Sequence, residues 1–152
     1  MEEGGRNMEF KTTDELSHEI RAATDIEDYL TKNRQHLLAR RLPEHLEMLL
    51  AQKGLSRADV VRASLLDRAY VYQIFSGRRA PSRDKLIALA FGLGLSEGET
   101  QEMLKLSGNR ELYARDPRDA LILFALQRQK TIFAANELLI GHGFAALGAP
   151  NP

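Results

Sequence analysis

The 152-residue sequence predicts an all-α fold. Two observations carry that expectation. Apolar residues recur at three- and four-residue spacing in stretch after stretch, as amphipathic helices require. Most of these stretches open on Ser, Thr, Asp or Pro and close on Gly, the residues that start and stop helices. Hydrophobic content of 43% supports a real core, and 11 Gly with 5 Pro are too few for a low-complexity chain. The absence of Cys excludes disulfides, thiolate zinc sites and cysteine nucleophiles together. No apolar run approaches the roughly 18 residues of a membrane span. Glu2, Glu3 and Glu9 give the N-terminus the wrong character for a signal peptide, so a cytoplasmic chain is expected.

The elements follow in order. Residues 1–11 are polar and Gly-containing and read as a disordered tail. Thr13-Asp14-Glu15 opens an acidic helix with Leu16, Ile20 and Ala23 on its face. A second short helix from Asp25 presents Ile26, Tyr29 and Leu30, and residues 12–41 together form an N-terminal extension. Leu42-Pro43 starts a stronger helix, with Pro at the first helical position. It aligns Leu42, Leu46, Leu49 and Leu50 and ends at Gly54.

Residues 55–81 hold two short helical patterns. Ser56 caps the first, whose apolar face is Val60, Val61 and Ser64. Asp67 caps the second, which buries Ile74 and Phe75. Tyr70 and Val71 compete for the remaining inward position, and Val71 is placed inside. Gly77-Arg78-Arg79-Ala80-Pro81 is the exit. Two helices too short to be stable alone, separated by about three residues, fit a helix-turn-helix. In that motif the second helix enters the DNA major groove. Ser82 then caps a helix through Leu86, Ile87, Leu89, Ala90 and Phe91, stopped by Gly92 and Gly94. Ser96 caps the next, with Met103, Leu104 and Leu106, stopped by Gly108. The unit spans residues 42–108.

The rest repeats what precedes it. A shift of 35 residues aligns 83–108 with 118–143 without a gap, and eight of those 26 positions are identical. Unrelated sequence would give roughly two at ordinary residue frequencies. Residues 109–147 therefore read as an extra helical hairpin, with 148–152 as a tail. Within it, residues 121–126 are apolar nearly all round, where a surface helix carries one apolar stripe. That run is either packed on two sides within the chain or shared with another chain. The second option is favoured, which makes Leu121, Ile122, Phe124 and Leu126 the expected dimer or partner surface.

Net charge is zero, but its distribution is uneven. Residues 1–36 carry five Lys/Arg against nine Asp/Glu, and residues 96–152 carry six against seven. Residues 37–95 carry ten against five, so the positive charge sits on the helix-turn-helix, as phosphate contact requires.

From Leu42 to Leu106 the chain resembles the lambda-repressor-like (Cro/cI, XRE-type) family of helix-turn-helix domains. The residues that carry the resemblance are Leu55-Ser56 with Val60, Tyr70 with Ile74, and Gly77-Arg78-Arg79-Ala80-Pro81-Ser82. It implies a five-helix DNA-binding domain whose second motif helix reads base edges through Arg68, Ala69, Tyr72 and Gln73. Arg suits guanine O6 and N7, Gln suits adenine N6 and N7, and Ala or Tyr can meet a thymine methyl. Arg57, Ser76, Arg78 and Arg79 are the phosphate candidates, which position the helix without reading sequence. Two departures stand out. The turn position usually held by Gly is Leu65, which implies either a left-handed residue or, by preference, a longer or reshaped turn. Arg57 replaces the Gln often found at the start of the first motif helix.

Catalysis finds no foothold. His18, His36, His45 and His142 are scattered, no metal-ligand spacing occurs, and no nucleophile has a visible base. Neither a cofactor nor a metal is expected. The leading expectation is a homodimeric regulator of transcription on double-stranded DNA, acting as a repressor by occluding polymerase. The second is an adaptor or antitoxin-like module that binds a partner protein, suggested by the acidic N-terminal helices and the apolar run at 121–126.

Overall fold

Side-chain caps set most of the helix starts. The computed structural model describes residues 11–33 and 37–148, and those residues form α-helices and no strands. Thr12 caps α1 (Thr13–Ala22) and Asp25 caps α2 (Ile26–Lys32). Ser56 caps α4 (Arg57–Ser64), Asp67 caps α5 (Arg68–Ser76) and Ser82 caps α6 (Arg83–Gly92). Ser96 caps α7 (Glu97–Leu106), Asp116 caps α8 (Pro117–Gln127) and Thr131 caps α9 (Ile132–Gly141). Each of these side chains accepts a backbone N–H that the helix leaves open, worth about 1 kcal/mol apiece. The expected tail at 1–11 lies, but for Lys11, outside the described residues, as does 149–152 of the C-terminal tail.

The helix α3 (Leu38–Lys53) departs from the sequence expectation. It starts at Leu38 and runs through Pro43, so Pro43 is not its first residue. Leu37, at its N-cap, makes no side-chain cap bond, which is why this start left no mark in the sequence. Pro43 forfeits one backbone hydrogen bond in the second turn. Its ring lies so close to Gly77 that a Cβ there would sit 3.3 Å from Pro43 Cγ.

The core is built around α6. Every residue from Leu86 to Gly92 is buried, because α4, α7 and α9 all pack on this helix. Leu42, Leu46, Leu49 and Leu50 of α3 fill the layer beside α5 and α7. Gly92, read from the sequence as a terminator, is the last helical residue and serves close approach instead. A Cβ there would meet Ser64 Cβ at 2.8 Å and the Val60 carbonyl oxygen at 2.9 Å. Within the N-terminal extension α1 packs on α2, tied by Lys11, which donates to Glu19 at 2.6 Å and to Asn33 Oδ1 at 2.8 Å. Tyr29 is buried there, while Ile20, Ile26 and Leu30 stay exposed.

The 35-residue repeat is a repeat of structure. Ser96 and Thr131 cap equivalent helices, each accepting from the third helical N–H at 3.2 Å. The left-handed turn at Gly94 (φ 65°) recurs at Gln129 (φ 54°), and that at Gly108 (φ 80°) recurs at Gly143 (φ 85°). The correspondence extends four residues beyond the aligned stretch. Gln101 clamps the backbone of Leu112, donating to its carbonyl at 2.9 Å and accepting its N–H at 2.7 Å. Thirty-five residues on, Asn136 clamps Leu147 in the same way, at 3.0 and 2.7 Å. Both leucines are buried.

This packing overturns part of the expected dimer surface. Ile122 and Leu126 are 0% and 3% exposed within a single chain. The apolar run is two-sided because α9 covers one flank of α8 and α7 the other. Leu121 is half-buried and Phe124 remains exposed, with the Arg128 guanidinium 3.8 Å from its ring centre. Among the described residues no helix is long and apolar enough to cross a membrane, and no cluster of potential metal ligands forms.

Candidate nucleic-acid interface

The first short helix of the motif, α4, opens on reciprocal capping. Ser56 Oγ accepts the Asp59 N–H at 3.1 Å, and Asp59 accepts the Ser56 N–H at 2.9 Å. That backbone bond is the main reason the Asp59 carboxyl is held below its ordinary pKa, with the Ser56 hydroxyl adding to it. The turn keeps its length. Leu65 takes the left-handed conformation itself, at φ 61° and ψ 18°, so the expectation of a longer or reshaped turn is corrected. Strain of about 1–2 kcal/mol is offset where neighbours hold the residue in place. Here the Ser64 hydroxyl accepts the Leu66 N–H at 3.2 Å, Leu66 is buried, and Leu65 packs on the core.

Asp67 opens α5 by accepting the N–H groups of Ala69 and Tyr70 at 3.1 and 3.4 Å. Val71, Ile74 and Phe75 lock one side of this helix into the core, and Tyr70 sits half-buried at its edge. The other side carries Arg68, Ala69, Tyr72 and Ser76 exposed, with Gln73 half-exposed between them. All four base-reading candidates therefore share one outward face. Arg68 lies over the Tyr72 ring, 5.8 Å from its centre, and Nη1 donates to the Tyr72 hydroxyl at 3.5 Å. No carboxylate holds it among the described residues, which leaves its paired N–H groups open to an acceptor.

Gln73 is oriented from below. Arg79 Nε donates to Gln73 Oε1 at 2.9 Å, which fixes the amide while its nitrogen and the second lone pair of Oε1 stay open to a base edge. The chain returns to this point because Gly77 takes φ 84°, after which the N–H groups of Arg78 and Arg79 both bond the Gln73 carbonyl. Ser76 donates its hydroxyl to the same carbonyl at 3.1 Å.

The phosphate candidates are not equivalent. Arg78 and Arg79 project from the exit of α5, both exposed. Arg57 is half-buried, 5.2 Å from the Phe75 ring centre, and its guanidinium is already paired with Glu47. A phosphate at Arg57 must share that guanidinium with Glu47. Lys85 escaped the sequence reading. Its ammonium lies 5.6 Å from the centre of the Tyr70 ring, and the Arg79 guanidinium lies 5.3 Å from the same ring. Tyr70 thus joins two cations into one basic edge at the start of α6. Burial raises the pKa of its phenol, and the positive charge of Arg79 opposes that shift.

The arrangement gives a core-anchored helix with a mixed Arg, Tyr and Gln face, bordered by cations at its C-terminal exit. Residues 39–103 match the family model described as a helix-turn-helix domain. No curated protein and no solved structure matches the chain.

Proposed function

We propose, since residues 39–103 are a helix-turn-helix domain, that this chain binds double-stranded DNA by sequence and regulates transcription. The observation that carries this reading is the division of α5. Val71, Ile74 and Phe75 are fixed inside, while Arg68, Ala69, Tyr72 and Gln73 face outward together. Laid in the major groove, Arg68 reads guanine and Gln73, held by Arg79, reads adenine. Ala69 and Tyr72 meet thymine methyls. Ser76, Arg78 and Arg79 contact phosphates, joined by Lys85, and Arg57 does so while shared with Glu47. No residue has a catalytic role in this reading.

Two copies would bind a two-fold operator whose half-sites lie about one helical turn, roughly 34–36 Å, apart. In this reading the bound chain represses by occluding polymerase. Of the side chains expected to join the copies, Leu121 and Phe124 remain accessible. A second reading, an adaptor or antitoxin-like protein, is favoured by Phe133 and Ile140 on α9, which are 58% and 62% exposed. It predicts tight co-purification with a partner and weak, sequence-blind DNA binding.

Salt dependence tests the phosphate assignment. Arg78→Ala is expected to weaken binding about equally for all duplexes. It should also reduce the slope of log affinity against log salt by about 1. An unchanged slope would remove Arg78 from the interface.

A further inference from the structure

The two copies of the helical hairpin do not merely follow one another; they face each other. Each opens on an Arg-Asp pair, Arg83-Asp84 in the first and Arg118-Asp119 in the second. Arg83 of the first copy donates to Asp119 of the second at 2.8 Å. Arg118 of the second donates to both carboxylate oxygens of Asp84 in the first, at 3.1 and 3.0 Å. The helices obey the same exchange, with α6 packed on α9 and α8 packed on α7. Contacts in which i meets j and j meets i define an isologous, two-fold interface. Repeats that only stack, as in a solenoid, meet head to tail and show no such exchange.

We infer that residues 118–147 occupy, within one chain, the seat that a partner subunit's hairpin would take on the α6 face of the helix-turn-helix domain. A two-fold face is self-complementary, so its natural partner is a second copy of residues 83–112, and the chain carries that copy itself. The departures from symmetry mark the covalent version. Asp119 is buried and receives three further contacts, from Arg83 Nη1 at 3.3 Å, Arg110 at 3.4 Å and the Tyr113 N–H at 3.0 Å. Tyr113 belongs to the connection between the copies, and Arg110 lies at the end of the first copy, where the second has Ala145. Its counterpart Asp84 has only Arg118 among the described residues and stays 57% exposed. The second copy is also anchored at its far end. Gly148 lies against the motif turn, where a Cβ would stand 2.3 Å from the Ser64 carbonyl oxygen. The α6 face is therefore closed to other chains, and two chains that meet on DNA do so through another surface.

The chain has no cysteine, so the assignment can be tested by placing two. Full-length protein carrying Asp84→Cys and Arg118→Cys is treated with a short bismaleimide, in a mixture of tagged and untagged chains. The expected product is a bridge within one chain, nearly complete, with none between chains. Asp84→Cys alone is expected to give no covalent dimer. Bridges between tagged and untagged chains would overturn the assignment, as would failure to bridge in a variant with the wild-type helical spectrum. Should the double variant fold poorly, hydrogen exchange of the unaltered chain decides. Protection of the α8 amides is expected to be independent of protein concentration, and protection that rises with concentration would show the seat to be filled by another chain.

Discussion

Asp119→Ala is expected to destabilise the chain by about 3–5 kcal/mol, the cost of stranding a buried charge when its partner is removed. The Asp119 side chain is 2% exposed, and that of Arg83, its main partner, is 15% exposed. Arg83 is held in place by the carbonyls of Arg110 and Glu111 as well, at 2.9 and 3.0 Å, so it has little freedom to turn toward water. Removing the carboxylate leaves that guanidinium in place with its charge unanswered and releases the Tyr113 N–H. The reciprocal pair gives the control. Arg118→Ala leaves Asp84, which is 57% exposed, to water, and should cost about 1 kcal/mol or less. Urea denaturation of the two variants measures the difference. Equal costs would mean that the second hairpin is not seated through Asp119.

Gly92→Ala is expected to cost about 2–3 kcal/mol, although Ala favours helix over Gly by about 1 kcal/mol. The added methyl has to occupy space held by the Ser64 Cβ and the Val60 carbonyl, neither of which is the free end of a flexible side chain. Either α6 moves away from α4, opening the core, or the motif helix shifts with it. Gly98→Ala is the matched comparison, since nothing lies within 4 Å of the position its Cβ would take. It should be neutral or gain about 0.5 kcal/mol. A neutral Gly92→Ala, read by the same denaturation, would show that the helices are less tightly apposed than their positions indicate. Because α4 carries the motif turn, the Gly92 variant should weaken DNA binding as well.

What the sequence made legible follows the chemistry of caps. Ser56, Asp67, Ser82 and Ser96 each announce a helix because each side chain accepts an open N–H, and α4 to α7 start where those residues place them. The start of α3 was missed because Leu37 offers no such side chain and Pro43 imitates a first helical residue. Leu65 was misjudged because a bulky left-handed residue is costly in isolation. Only the packing around it, including Gly148 from the far end of the chain, shows how the cost is offset. The apolar run at 121–126 pointed by preference to a second chain, whereas neighbouring helices of the same chain cover both its flanks, a distinction that apolar pattern alone does not carry. The Gln101 and Asn136 clamps were out of reach. Two different residues perform one task, and a comparison of residue identities passes over them.

The outward face of α5 was legible as a set of residues but not as a geometry. The family resemblance names Arg68, Ala69, Tyr72 and Gln73, and their spacing is that of one side of a helix. That Arg79 holds the Gln73 oxygen, or that Tyr72 supports Arg68, depends on how the chain turns at Gly77 and on side-chain directions that no pattern encodes.

Selection from a random duplex pool tests direct readout by α5 most directly, with the wild-type chain beside Arg68→Ala and Gln73→Ala. Each bidentate base contact is worth about 1–3 kcal/mol of discrimination. The wild type should enrich a defined site, with preference relaxed at a guanine in the first variant and at an adenine in the second. No enrichment, or an enriched site that neither substitution alters, would contradict sequence reading by this helix.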